Sequence, residues 1–501
     1  MTNNHYPYKI TRVQPTRVNS SRVNSSRVRS SKNSHRTNRI INMDKFIGRK
    51  EELASLQELY NKKGFQMAVL FGRRRVGKTT LINKFIENNK CKSVSFVSTE
   101  MTEKELLERM GNDVLDSLAP NLSGKLKFES FDSIFDFIAE ESDKERLVFV
   151  IDEYPYLSKS CPFMDSLLQK YIDNKWKKSN LLFILLGSLV SFMREEVLGS
   201  SAPLHGRANL EFKITPFDYK DTALFVPDYN VEEKAIVYGL TGGVAKYLEQ
   251  FDSKLSLDEN IEKLFFSRNA FFSEEQIKTV ITAEKSNPVA YNSIIDAIAN
   301  GKTKYNEIQS TTGMSDISFC LKNLISAEIV ERRETPKPYY IISDSMINFY
   351  FKYVASGASL INSGKGKLYY EQKVKDKLHN FMGSVFERMA KDYILSNVGT
   401  KKIPCFLTDV VEYQSSVKEG KTIISVEIDL LGLDGKNYVL AGECKFRAEK
   451  FDKEELDNFL NKLNYLPASN LNVMLFSLSG FTDYVIENSK NLTRVTLEEM
   501  Y

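Results

Sequence analysis

The sequence predicts an α/β fold: a P-loop parallel sheet with a helical lid, a winged-helix segment and a second, C-terminal α/β core. Three stretches carry that reading. Residues 66–85 run QMAVLFGRRRVGKTTLINKF, which is an apolar strand, a glycine loop and a helical repeat in that order. Residues 147–153, LVFVIDE, are an apolar run ending in two acids. Residues 422–445 change to strand periodicity around Asp434-Gly435 and hold Asp429, Glu443 and Lys445.

The loop Gly72-Arg73-Arg74-Arg75-Val76-Gly77-Lys78-Thr79 fits G-x-x-x-x-G-K-[ST] at every fixed position, and Thr80 continues into the helix. Glycines let the backbone fold around phosphate oxygens, and the N–H groups at a helix start point at the anion. Gly72 through Thr80 are therefore the expected ATP cradle, with Lys78 on the β- and γ-phosphates and Thr79 on Mg²⁺. The strand 147–153 delivers Asp152 and Glu153 at its C-terminal edge. Asp152 is the expected second Mg²⁺ group, and Glu153 the residue that orients or deprotonates water. A further apolar strand, 181–186, ends in Gly187-Ser188, where Ser188 suits contact with the γ-phosphate or the water.

Composition narrows the classes. The chain has 501 residues, so several domains are expected. Five scattered cysteines (Cys91, Cys161, Cys320, Cys405 and Cys444) show no C-x-x-C spacing, and the four histidines do not cluster with them. That argues against a zinc site or a disulfide framework and fits a reducing, cytoplasmic compartment. No apolar run is long enough to span a bilayer, so no membrane partner is expected. The N-terminus lacks the apolar core of a secretory signal. Residues 1–42 hold nine Lys/Arg and no acid, leaving 60 basic against 65 acidic residues in the remainder. Global charge thus gives no support for nucleic-acid binding.

Taken in order, residues 1–42 contain a five-residue repeat marked by Arg12, Arg17, Arg22 and Arg27, and such a segment has little to bury and should be disordered. It reads either as a basic arm or as translated upstream repeat ahead of Met43. The ATPase core is expected over 43–217. Near its end, Arg207 sits in a Gly/Pro loop and reads either as an arginine finger acting on a neighbouring subunit of a homo-oligomer, worth about 10³ to 10⁵ in rate where one exists, or as a structural ion pair. Residues 218–285 read as a helical lid with a turn at Gly242-Gly243. Residues 286–345 read as a winged helix, with a wing around Pro336 and Pro338. Its third helix offers Lys322, Ser315 and Ser318, few groups for a DNA groove, so duplex DNA and a protein partner both stay open.

Residues 346–501 hold the second constellation. Glu387 lies on a predicted helix, Asp429 on one strand, and Glu443 and Lys445 on its hairpin partner. Positions i and i+2 of a strand face one side, so Glu443 and Lys445 share a cleft, and Asp429 can lie opposite. Carboxylates so placed suit Mg²⁺ or Mn²⁺, making Asp429 and Glu443 candidate metal ligands, and Lys445 can position water or steady a phosphate. The competing reading is a cross-strand ion pair on a solvated face.

Taken together, these residues resemble a prokaryotic, archaeal-type family of AAA+-like P-loop ATPases. The likeness rests on Phe46-Ile47-Gly48-Arg49, Glu51-Glu52-Leu53, the loop, Ile151-Asp152-Glu153, Gly187-Ser188, residues 203–207 and Gly242-Gly243. The resemblance implies a winged helix followed by a restriction-endonuclease-like domain of the PD-(D/E)xK kind, with Asp429, Glu443 and Lys445 as its signature and Glu387 as the helical acid. Gly242-Gly243-Val244-Ala245 departs from the family's Gly-Gly-x-Pro. Two functions follow as expectations: an ATPase coupled to a Mg²⁺-dependent DNA nuclease, or an ATP-gated signalling or scaffold protein whose C-terminal domains only bind partners.

Overall fold

The computed structural model describes residues 10–12, 46–275, 277, 288–334, 338–419, 422–468 and 470–501. The chain divides at Thr215/Pro216 into two units. In the first, β1 is Ile10–Arg12, β2 Gln66–Phe71, β3 Lys92–Val97, β4 Leu126–Phe128, β5 Leu147–Asp152, β6 Leu181–Gly187 and β7 Leu210–Lys213. Five of these form an all-parallel sheet in the order β3-β5-β6-β2-β7. Alternation along each strand feeds two apolar layers. Met67, Val69 and Phe71 join Phe149, Phe183 and the helices Glu103–Leu118 and Phe131–Lys144 on one face. Ala68 and Leu70 join Leu56, Leu81, Ile82 and Phe85 on the other. Burial on both faces is why these strands read as continuous apolar runs. Trp176 is fully buried in the first layer and donates its indole N–H to the Phe135 carbonyl at 3.2 Å.

The expectation of a structureless tail needs one correction. β1 pairs antiparallel with β4, Ile10 opposite Phe128 and Arg12 opposite Leu126. Among the described residues β4 joins no other ladder, and such an edge strand presents N–H and C=O groups that a passing segment can satisfy. The rest of residues 1–42 lies outside the described residues.

The second unit opens with helices at Tyr219–Ala223 and Val231–Thr241, the latter ended by Gly242 in the left-handed region (φ 58°). Residues 276 and 278–285 of the expected lid, and 286–287 of the expected winged helix, fall outside the described residues. Next come three helices, Pro288–Ala299, Tyr305–Thr312 and Ser318–Ser326, and a hairpin of β8 (Val330–Arg333) and β9 (Tyr339–Ile342). This hairpin falls where the wing around Pro336 and Pro338 was expected; residues 335–337 at its tip are outside the described residues.

The chain then runs through the helix Leu378–Ser396 into a second sheet, with β10 at Asp409–Glu419, β11 at Thr422–Asp434, β12 at Asn437–Lys445, β13 at Asn472–Ser477 and β14 at Thr493–Thr496. Its order is β10-β11-β12-β13-β14, antiparallel across β10, β11 and β12 and parallel from β12 to β14. The helix Leu378–Ser396 covers one face through Met382, Phe386 and Met389, against Leu430, Leu440 and Phe476. The helix Lys453–Leu463 covers the other through Leu456 and Phe459, against Ile428, Leu431 and Leu475.

The two faces are not reached by simple alternation on β11. Tyr413 stands opposite Ile428 but Val411 opposite Leu431, so the pair Asp429-Leu430 faces the single residue Glu412. This β-bulge re-aims the side chains on either side of it, as bulges beside functional sites do. Among the described residues, no helix is long and apolar enough to cross a membrane.

Candidate functional site

The loop, Asp152-Glu153 and Ser188 converge because β6 lies between β2 and β5, so the C-terminal ends of all three strands meet at one sheet edge. The ammonium of Lys78, 5% exposed, donates to the carbonyls of Gly72 (2.8 Å) and Arg73 (3.1 Å) and to Ser188 Oγ (3.0 Å). Ser188 Oγ donates in turn to Glu153 Oε1 at 2.5 Å. Thr79 Oγ1 donates to Asp152 Oδ2 at 2.5 Å, and the Glu153 amide donates to Asp152 Oδ1 at 2.8 Å. One hydrogen-bonded chain thus joins Lys78, Ser188, Glu153, Asp152 and Thr79, all singled out from sequence.

Its backbone is held in unusual shapes. Gly77 sits at φ 96°, while Arg75 (φ 73°) and Glu153 (φ 54°) occupy the left-handed region despite carrying Cβ atoms. Such strain concentrates at functional sites. At Gly72 a Cβ would lie 2.1 Å from the Ile214 carbonyl oxygen, so only glycine fits there. Glu153 Oε2 is buried and makes no hydrogen bond. An orphan carboxylate oxygen is costly unless a water or ligand group serves it. The hydroxyl of Thr79 and the Asp152 carboxylate are hard oxygen donors of the kind Mg²⁺ takes. The residues present therefore fit a nucleotide and its magnesium.

Two arginines inside motifs already quoted make contacts that the sequence reading did not anticipate. Arg49 is buried and left-handed (φ 58°), and its guanidinium donates to the carbonyls of Val76 (3.0 Å) and Thr215 (2.6 Å) and to Glu52 (3.1 Å). It thereby ties the turn ahead of the first helix to the phosphate loop. The Gly48-Arg49 pair was its only signal. Arg74 lies over the Tyr156 ring, 5.9 Å from its centroid, and bonds the phenol oxygen, joining the loop to the helix Tyr154–Ser160. Arg207 stands apart. Its Nε and Nη2 grip Asp173 at 2.9 and 2.7 Å, and its Nη1 donates to the Pro203 and His205 carbonyls.

In the second unit, the hairpin brings Asp429, Glu443 and Lys445 together. Asp429 Oδ2 accepts the Cys444 amide at 2.8 Å. Glu443, 4% exposed, accepts Lys445 Nζ at 2.7 Å on Oε1, while its Oε2 is buried without a hydrogen bond. Burial, then the Glu443 charge, pushes the Asp429 carboxyl up to about 6. For Lys445, burial lowers proton affinity, but Glu443, Asp429 and Glu455 together outweigh it and the net shift is upward. Glu387, on the helix Leu378–Ser396, joins electrostatically: burial, then Asp429, Glu412 and Glu443, push its carboxyl up to about 8, with Arg333 pulling the other way. Arg333 is itself paired to Glu412, which Tyr339 also reaches at 3.3 Å. Among the described residues, no group of three or more His, Cys, Asp or Glu is disposed to hold a metal ion. Any metal here would rest on Asp429 and Glu443, whose oxygens suit Mg²⁺ and whose orphaned Oε2 is available to it.

The raised Glu387 carboxyl makes stability depend on pH. Unfolded, this group loses its proton near the ordinary value of about 4.3. Between there and about 8 the folded chain holds a proton the unfolded chain has released, so stability falls as pH rises through that window and levels off above it. Glu387→Gln, which mimics the protonated form, is expected to melt with wild type at pH 4 and about 3 °C or more above it at pH 8.5, in chelator-treated buffer followed by circular dichroism.

Comparison with known proteins places two families on the chain. Residues 46–251 match a family described as an ATPase domain predominantly from Archaea, and residues 350–456 match one described as archaeal and bacterial proteins of unknown function. The Methanocaldococcus jannaschii protein MJECL04 is 30% identical over 368 residues, 72% of this chain and 79% of that one. From the same organism, the ATP-binding protein MJ0423 is 52% identical over 50 residues, 10% of this chain and 85% of that one. Among solved structures, the Walker-type ATPase PABY2304 of Pyrococcus abyssi aligns over 61% of this chain and 96% of its own, at 19% identity and a TM-score of 0.48.

Proposed function

Because this chain belongs to the family of MJECL04 and carries an ATPase domain of the kind found predominantly in Archaea, we propose that it hydrolyses ATP in an AAA+-like core and couples turnover to Mg²⁺-dependent cleavage of duplex DNA at its C-terminal carboxylate–lysine site. The observation that carries the first half is the hydrogen-bonded chain from Lys78 to Thr79, with the orphaned Glu153 oxygen at its centre. The short match to a protein named as ATP-binding supports it.

In this reading the loop amides and Lys78 bind the β- and γ-phosphates, Ser188 contacts the γ-phosphate, and Glu153 orients a water and takes its proton. Magnesium, held by Thr79 and Asp152, supplies charge neutralisation on the phosphates when bound. The bidentate pair with Asp173 favours a structural role for Arg207, since a finger acting in trans would first have to break it. The three helices and the β8–β9 hairpin serve as a winged helix that docks duplex DNA.

The nuclease half rests on Glu443, a buried carboxylate with one oxygen on Lys445 and one unserved, opposite Asp429. Asp429 and Glu443 would hold the metal, Lys445 would steady the scissile phosphate, and Glu387 would support the two acids from the helix. The test is supercoiled plasmid with Mg²⁺ or Mn²⁺, with and without ATP. Wild type is expected to nick or linearise it, and Glu443→Ala to leave it intact. Uncut plasmid under all four conditions would sink the nuclease half. The lack of a three-residue metal cluster among the described residues favours a second reading, an ATP-gated scaffold whose C-terminal unit only binds partners. It predicts uncut DNA and ATP turnover stimulated by a protein rather than by DNA.

A further inference from the structure

Glu443 Oε1 is shared by two ammonium groups. Lys445 reaches it at 2.7 Å from the same strand, and Lys462 approaches it at 3.4 Å from the helix Lys453–Leu463. That helix is anchored by a capping box, in which Asp452 accepts the Glu455 amide at 3.0 Å and its own amide donates to the Glu455 carboxylate at 3.1 Å. Leu456 and Phe459 then seat it on the sheet. Glu455 and Lys462 stand seven residues apart, two turns, so they share a face. The helix N-terminus therefore fixes the register that brings Lys462 to the carboxylate.

One carboxylate oxygen can accept from two donors, but the two ammonium groups brought to it repel each other. Neither is enclosed: the Lys445 and Lys462 side chains keep 29% and 34% of their exposure, whereas Glu443 keeps 5%. The arrangement is a buried anion with a two-ammonium rim open to solvent. A plain ion pair needs only one of these lysines. A second anion seated across both ammonium groups accounts for the other.

We propose that Lys462 is a positioning residue for the substrate, forming with Lys445 a two-ammonium seat for a phosphodiester of duplex DNA at the Glu443 site. This rests on the nuclease reading above. Lys445 works from the strand beside the acids, and Lys462 grips the backbone from the helix, so its loss should weaken engagement more than chemistry.

The experiment uses the full chain and a fluorescent duplex oligonucleotide. Binding is measured by anisotropy in Ca²⁺ across a salt series, and cleavage in Mn²⁺. Lys462→Gln is expected to weaken binding about 10-fold, to reduce the slope of log affinity against log salt by about one, and to raise KM more than it lowers kcat. Lys462→Arg should restore binding to within about 3-fold, because the charge is kept, and circular dichroism should show both variants folded. Lys462→Gln matching wild type in affinity, salt slope and KM would overturn the proposal while leaving the nuclease reading intact, provided wild type cuts and Glu443→Ala does not. Loss of affinity that Arg fails to restore, with an unchanged salt slope, would also overturn it in favour of a packing role. A wild type that neither binds nor cuts removes the nuclease reading, and this proposal with it.

Discussion

Replacing Glu153 with Gln is expected to lower ATP hydrolysis by about 10²- to 10⁴-fold while leaving nucleotide binding in place. Glu153 Oε1 accepts Ser188 Oγ, and its Oε2 is buried without a partner. Gln keeps the shape and can still accept the Ser188 hydroxyl, but it cannot take a proton from water. The measurement is steady-state phosphate release beside equilibrium binding of a fluorescent ATP analogue. Ser188→Ala separates orientation from basicity. It removes the hydroxyl that holds both Glu153 and Lys78, so a smaller loss in rate, with a shifted affinity, is expected. Hydrolysis by Glu153→Gln at the wild-type rate would show that another group activates the water.

Lys78→Ala is expected to abolish detectable turnover and to weaken ATP binding about 10- to 100-fold, the worth of one charge-assisted contact to phosphate. The ammonium donates to two loop carbonyls and a hydroxyl, so its removal also loosens the cradle before any ligand arrives. Calorimetric titration with ATP and Mg²⁺ reads the first effect. A thermal melt of the same variant shows whether the first unit stays folded. Wild-type hydrolysis in this variant would contradict the assignment of the loop.

Much of the candidate nucleotide site was legible because its chemistry is local. Strand, loop, Lys-Thr and helix are contiguous, and a strand buried on both faces announces itself as an apolar run ending in Asp152-Glu153. What could not be read is what depends on distant backbone. Arg49 acts on the carbonyls of Val76 and Thr215, 27 and 166 residues away, and no local pattern marks such a clamp. In the C-terminal unit the hairpin 422–445 was legible from its alternation and its Asp434-Gly435 turn. β10 went unread although Val411, Tyr413 and Val417 alternate with Glu412, Gln414 and Lys418, a period-two signal diluted by the serines at 415 and 416. Lys462 was hidden for a different reason: on its helix it reads as one more solvated lysine, and only the packing of Phe459 onto the sheet brings it to Glu443.

The irregular ladder between β10 and β11 has its own consequence. Asp429 and Leu430 together answer to Glu412 alone, so β11 carries one residue more than its partner needs. Excising Leu430 would give a tidier sheet, with in–out order running unbroken from Val426 onward. The same excision would move Asp429 into the place of Leu430, opposite Gly442, and part it from the Cys444 amide that now holds it. Evenness of pairing and possession of the acid pull against each other here, and the chain has kept the acid.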